Sequence, residues 1–438
     1  MISTAANPPV ASTKRERWAW YLYDFGNSAY AAVVLLAVYS AYFQGAVVGG
    51  AEGSRLWGIA VAIAMLVVAI TSPILGTIAD YSGAKKWFLL FYTGVAIIFC
   101  GTLYFVQAGN IVLGMVLFII AEIGYRSAQV FYNALLPEIA SPEEMGKVSG
   151  NGWAIGSAGG VVCLIIVLAL ITIVDSNLMI RLSFVITALF FAVSALPLFF
   201  WLTEKAEARK IPAGENVFTI AFKRLKTTFA SVKNYREFIK FIVAFLVYND
   251  GILMALDFAA ILGAVLFGMK QEELIIFMII VQVTSSIGAF VFGNVANRFG
   301  GKRSLIISLI LMLVAIIWMY FEQTQLGFYF IGALAGFALT GVQSVSRTMV
   351  ALLSPKAKSA EFFGFFAVAG RTSSFIGPAV YGWLAAEAAL WYQAQGSTIA
   401  IAEQLGQRLA LLSIAAFLIL GLFLLLWVNE SKAKIDAN

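Results

Sequence analysis

The sequence predicts an all-α membrane protein with twelve transmembrane helices in two pseudo-symmetric six-helix bundles, and three observations predict it. Of 438 residues, 61% are hydrophobic and 12% charged, where soluble domains carry roughly a quarter charged residues. Apolar runs of about 20 residues, the length a helix needs to cross the hydrocarbon core, recur along almost the whole chain. Small and charged residues in the first half recur in the second at one fixed displacement.

Taken in order, the polar segment Met1 to Arg17 is followed by an apolar run too long for a signal peptide and without a small-residue cleavage site. The first helix is therefore expected to be retained. Polar breaks divide the chain into spans 1 to 12, at approximately 18–43, 56–79, 87–107, 110–136, 148–174, 179–203, 238–266, 272–296, 304–321, 326–353, 361–386 and 405–428. Of the 29 Lys and Arg, four (Arg55, Arg181, Lys270 and Arg408) fall in external segments if the N-terminus is inside, and three (Arg126, Arg347 and Arg371) fall within spans. All the others, Lys356 and Lys358 among them, are then cytoplasmic, so both termini are expected in the cytoplasm. The protein is expected to be a multi-pass integral membrane protein, of the cytoplasmic (inner) membrane if bacterial. This topology accounts for the net charge of +6, and nucleic acid is not expected as a partner.

The longest polar break parts spans 6 and 7 and divides the chain into a first bundle, 1–203, a cytoplasmic linker, 204–237, and a second bundle, 238–438. Within the linker Phe218, Phe222, Leu225, Phe229 and Val232 repeat at helical spacing, and Lys223, Arg224, Lys226, Lys233 and Arg236 take other positions. The pattern predicts an amphipathic basic helix on the anionic inner leaflet.

The segment Gly76-Thr-Ile-Ala-Asp80-Tyr-Ser-Gly83-Ala-Lys85-Lys86 recurs as Gly293-Asn-Val-Ala-Asn297-Arg298-Phe-Gly300-Gly-Lys302-Arg303, displaced by 217 residues. The same displacement carries Gly124 onto Gly341, Glu144 onto Glu361 and Gly160 onto Gly377. Internal duplication of this kind is a hallmark of transporter folds. Gly152, Gly156 and Gly160 in span 5, matched by Ala369, Ser373 and Gly377 in span 11, form stripes along which another helix can approach closely. The helices so packed are expected to be those that rock against the other half.

Cys100 and Cys163 both lie in apolar spans and have packing roles, with no disulfide framework or metal site expected. Histidine is absent, which excludes imidazole ligation and a histidine relay, so proton coupling must use carboxylates. Nothing forms a metal cluster, an activated nucleophile or a phosphate loop; no enzyme activity, cofactor or metal is expected.

The paired G-x-[IV]-A-[DN]-x-x-G-x-K-[KR] segments resemble the signature loop of the major facilitator superfamily. The resemblance implies that these loops gate, with Asp80 near the start of a helix of the opposite half, where its charge favours the positive end of the helix dipole. Tyr81 and Ala84 depart from the pattern in the first copy and Asn297 in the second, which implies a weaker second latch. Trp20-Tyr-Leu-Tyr-Asp24-Phe-Gly-Asn27-Ser28-Ala-Tyr30, with Arg126 to Leu136 and Pro137-Glu138, is similar to the vacuole-effluxer-like branch that includes autophagy-related amino-acid effluxers. That resemblance implies secondary transport of small organic solutes by alternating access, amino acids foremost, in the direction of export.

Charged groups within the bilayer cost a few kcal/mol even on lenient scales and face cavities or each other. Asp24, Glu122, Arg126, Asp250, Asp257, Arg347 and Arg371 are the candidates. By superfamily analogy, spans 1, 4, 7 and 10 line the cavity and hold all but Arg371. Glu122 and Arg126 share a helical face and can neutralise each other; alternatively Arg126 attracts Asp24. Asp250 and Asp257 share a face, with Arg347 and Arg371 as partners. Four carboxylates against three guanidinium groups leave one acid free to carry protons. Asn27 and Ser28 add uncharged hydrogen-bonding groups, and a zwitterion suits this set. The expected partners are a small-molecule substrate, the lipid bilayer and protons, for a chain working as a monomer. A lipid or lysolipid transporter, and a non-transporting receptor or scaffold, are the alternatives.

Overall fold

The computed structural model describes residues 13–141, 144–173, 176–205, 216–355 and 359–430. Hydrocarbon offers backbone groups no hydrogen bonds, so an apolar chain satisfies them internally, as helix. Eleven helices among the described residues are long and apolar enough to cross a membrane. The other crossing, span 11, runs as two helices, Ser359–Ser373 and Ile376–Ala394. There the Ser374 hydroxyl donates to the Gly370 carbonyl, a back-bond that bends helices.

The first half comprises Lys14–Val48, Gly50–Ser82, Lys85–Phe105, Ile111–Ile139, Met145–Ile173 and Asn177–Trp201. The second comprises span 7 as Arg236–Asp257 and Ala259–Phe267, then Gln271–Phe299, Gly301–Phe321, Gln325–Leu353, the broken span 11, and Ile399–Leu426. Span 1 departs from a plain helix, because Ala31–Ala37 and Phe43–Val48 are π-helical turns. Such turns are frequent at functional sites.

The duplication is visible as repeated packing. Span 1 lies on spans 5 and 6, and span 4 on spans 2 and 3; likewise span 7 lies on 11 and 12, and span 10 on 8 and 9. The halves meet through spans 2 and 11 and through spans 5 and 8. The glycine stripes make close helix approaches, and make them chiefly within each half. A Cβ on Gly152 would strike the Trp20 ring, one on Gly156 the Asp24 carboxylate, and one on Gly159 the Phe25 backbone. Span 5 is thus seated on span 1 of its own half, as Gly377 seats span 11 against the Asp250 backbone of span 7. Only Gly160 of the stripe also reaches across, to Gln282. Between spans 2 and 11 the close approach is at Gly58 and Gly382, whose added Cβ atoms would overlap backbone of the opposite helix.

On the side of the termini, carboxylates fasten each bundle. Glu204, just past span 6, accepts from the Lys85 and Lys86 backbone N–H groups at 2.6 and 3.1 Å, where the helix dipole favours negative charge. Glu430, just past span 12, accepts likewise from the Lys302 N–H. Glu16 at the start of span 1 accepts from Thr203 N–H, and Glu237 at the start of span 7 from Asn429 N–H. The Lys85 ammonium pairs with Glu138, and that of Lys302 donates to the Leu426 and Val428 carbonyls. The paired basic turns are therefore tied within their own halves. Gly83 (φ 58°) and Gly300 (φ 89°) supply the left-handed backbone that ends spans 2 and 8. On the opposite side, Glu322 turns the chain between spans 9 and 10. The Thr324 hydroxyl and the Thr324 and Gln323 backbone N–H groups hold its carboxyl down at about 2.

The linker forms a helix, Val217–Val232. Ile220 and Ala221 are buried, whereas Phe218, Phe222 and Phe229 stand 59%, 63% and 55% exposed. The expected positions Lys356 and Lys358, and the side chains of Arg224, Leu225, Asn297, Glu361 and Arg371, lie outside the described residues.

Candidate functional site

Helical periodicity places Glu122 and Arg126 one turn apart on span 4. The Arg126 Nε donates to Glu122 Oε1 at 2.7 Å, with Glu122 fully buried and the arginine side chain 27% exposed. Arg126 thus takes its span-4 neighbour in preference to Asp24. Its guanidinium lies 5.3 Å from the Tyr125 ring centroid, and Tyr125 stacks on Tyr30 of span 1 at 4.7 Å. Across the boundary between the halves, Asp257 lies within electrostatic reach of both Arg126 and Glu122. Asp257 ends the first helix of span 7, and its carbonyl accepts from Trp57 Nε1 of span 2 at 2.8 Å. Neither Asp250 nor Asp257 forms an ion pair with Arg347 among the described residues. Asp250 sits buried where span 7 meets Gly377, and Asp24 faces Gly156.

Buried polar atoms normally find partners. Here Glu122 Oε2, Asp257 Oδ2, Asn27 Oδ1, the Tyr30 hydroxyl and Gln282 Nε2 have none among the described residues. Of these, Tyr30 and Glu122 of the first half interact with each other, and Asp257 of the second half interacts with Glu122. Ser28 contributes its carbonyl beside Gly160, against which Gln282 rests.

A cavity of about 490 Å³ lies between span 5 (Ser149, Trp153, Ser157), span 8 (Gln282, Ser285) and span 10 (Gln343, Arg347). Its lining lies in the parts of those spans nearer the termini. Of the charges singled out in the sequence, only Arg347 lines it, exposed and without an ion-pair partner among the described residues. Gln282, Gln343 and Trp153 were not singled out; the signal that marks the two glutamines is an uncharged amide within an apolar run. Gln282 lines the cavity and rests against Gly160 of span 5.

The opposite side is sealed by bonds between the halves. Arg55 pairs with Glu387 at 2.7 Å, Gln407 Nε2 donates to Ser54 Oγ at 2.6 Å while Gln407 Oε1 accepts from the Tyr381 hydroxyl, and Gln271 Nε2 donates to the Ala37 carbonyl at 2.6 Å. The molecule is therefore closed on the side away from its termini, with its cavity toward them.

Two six-helix bundles enclosing a polar pocket define a transporter of the major facilitator type, and comparison with solved structures agrees on the fold. A bacterial homolog of the human lysosomal transporter Spinster superimposes with a TM-score of 0.72 at 14% identity, covering 98% of this chain and 99% of that one. The nucleoside transporter NupG does so at 0.67 and 14%, covering 94% and 97%.

Residues 56–438 match the family described as vacuole effluxer Atg22 like, and the chain belongs to that family. An uncharacterized MFS-type transporter of Bacillus subtilis, YxiO, is 30% identical over 84% of this chain and 87% of its own length. Autophagy-related protein 22-1 of Penicillium rubens is 24% identical over 66% of this chain. This chain spans about half the length of that fungal relative. YxiO and these structural neighbours are described as transporters.

Proposed function

We propose that the chain exports a small zwitterionic solute, an amino acid or close relative, from the cytoplasm by alternating access. The rocking bodies are residues 1–203 and 238–438, joined by the linker 204–237, with both termini cytoplasmic and the signature loops at Gly76–Lys86 and Gly293–Arg303 gating that side. The observation that carries this reading is the buried Glu122–Arg126 pair of the first half lying within electrostatic reach of Asp257 of the second. The Arg126 Nη groups have no partner among the described residues and suit a carboxylate, which guanidinium holds bidentately. Asp257 Oδ2 and Asn27 Oδ1, each buried without a hydrogen-bond partner among the described residues, suit an ammonium. Arg347 on the cavity wall draws the carboxylate in. The family's description as effluxers supports the direction. One of Asp24, Glu122, Asp250 and Asp257 couples transport to protons.

A thermal-shift series on the purified full chain with amino acids, amines, sugars and lysolipids tests the solute class. An amino acid at a hundred times its dissociation constant is expected to stabilise the fold by about 2.7 kcal/mol, and sugars to leave the midpoint unchanged. Stabilisation by sugars or lysolipids with none by amino acids overturns the assignment. Neutralising each of the four carboxylates in turn, in liposomes carrying a pH dye, tests coupling: proton movement that survives every substitution sinks it.

A further inference from the structure

The linker helix Val217–Val232 has three distinct faces. One is buried: Ile220 and Ala221 are 4% and 3% exposed, and the helix lies on span 2 of the first half and on Ser359–Ser373, the opening helix of span 11, in the second. Phe229 also reaches the Phe365 ring, 6.2 Å between centroids. The second face carries Phe218, Phe222 and Phe229, separated by four and seven residues and therefore aligned, each more than half exposed. The third carries the exposed Lys223 and Lys226, with Lys233 just past the helix end.

Aromatic rings set beside lysines at the rim of a transmembrane bundle have one surrounding that satisfies both, the boundary between acyl chains and anionic headgroups. Spans 2 and 11 belong to opposite halves, so a helix lying on both bridges the gap that must open for those spans to part on the termini side. The cavity described above opens on the other flank, between spans 5, 8 and 10.

We propose that this helix is a clasp set by lipid. Its phenylalanine face inserts into the leaflet on the termini side, its lysines bind anionic headgroups, and the helix so anchored holds the adjacent ends of spans 2 and 11 together. This rests on the rocking of the two halves proposed above, and its test reads no solute. Loss of anionic lipid frees the helix from the surface and lets spans 2 and 11 separate.

Gly76 on span 2 and Gly364 on span 11 each have open space where a side chain would project, so spin labels at Gly76→Cys and Gly364→Cys, with the buried Cys100 and Cys163 replaced by alanine, report the gap. The full chain is placed in nanodiscs of phosphatidylcholine, with or without phosphatidylglycerol. A short, narrow distance is expected with phosphatidylglycerol. In phosphatidylcholine alone, or with Lys226→Glu and Lys233→Glu together, the ratio of short to long distances is expected to fall about tenfold. Phe218→Ser with Phe222→Ser, which leaves the charges in place, is expected to act in the same direction. Distance distributions that ignore headgroup charge and both variant pairs overturn the clasp, whatever solute is transported. A dependence on headgroup charge in a chain that moves no zwitterion keeps the clasp and removes the solute assignment instead.

Discussion

Replacing Arg126 with alanine is expected to abolish solute flux and to destabilise the protein together. Glu122 is fully buried and its ion pair is with Arg126 at 2.7 Å. Removing one partner of a buried pair leaves an uncompensated charge and costs about 3–5 kcal/mol. The double variant Glu122→Gln with Arg126→Gln separates the two effects, because neutralising both partners removes the stranded charge. Its melting midpoint is expected to return most of the way to that of the parent. Flux in proteoliposomes is expected to stay at least about a hundredfold down, a loss of about 2.7 kcal/mol in the transport barrier, because the carboxylate-binding fork is gone. Arg126→Lys keeps the charge without the fork and is expected to restore stability better than flux. A double variant that recovers both flux and stability would reduce the pair to a structural strut.

The second large effect is expected at Gly58. A Cβ there would overlap the Pro378 carbonyl and crowd Gly382 of span 11, so Gly58→Leu cannot coexist with the sealed side. Neighbouring bonds that cross the halves, Ser54 with Gln407 and Arg55 with Glu387, must stretch with it. Flux is expected to fall at least about tenfold, since each cycle passes through this closed state. A cysteine at the buried position 54, inert toward impermeant thiol reagents in the parent, is expected to react from that side in Gly58→Leu. Gly94→Leu on span 3 is the control, because its Cβ meets open space. Unchanged reactivity at position 54 would mean that spans 2 and 11 are not the seal.

Much of the fold is legible because lipid makes few demands and makes them everywhere. An apolar run must be a helix, so twelve runs give twelve crossings, and the displacement of 217 residues reports the duplicated packing of spans 1 to 6 in spans 7 to 12. The break in span 7 after Asp257 carries no proline or glycine to announce it, whereas that in span 11 falls at Ser374, whose carbonyl lies four residues before Pro378 and so has no helical N–H to meet it. The carboxylate ties escaped the repeat because Glu204 and Glu430 are 226 residues apart, the connections between repeats having changed length while the helices kept register. Glycine stripes announce that a helix comes close but not which one, and those of span 5 face span 1 of the same half. In the site, the four-residue spacing sufficed for Glu122 and Arg126, since helix geometry alone brings them together. The nearness of Asp257 to that pair was not legible, because it depends on how the halves meet. Gln282 and Gln343 were missed because an amide costs less than a charge to bury and marks a cavity less loudly.

Glutamine 343 gives the most direct test of a carrier that is open toward its termini and shut opposite. In membrane vesicles of known sidedness, Gln343→Cys, with Cys100 and Cys163 replaced by alanine, is treated with an impermeant thiol reagent from each face. Modification from the termini side alone, slowed by the transported amino acid, is the predicted result. Modification from the opposite face in the resting protein, or a rate indifferent to every solute that stabilises the fold, would contradict it.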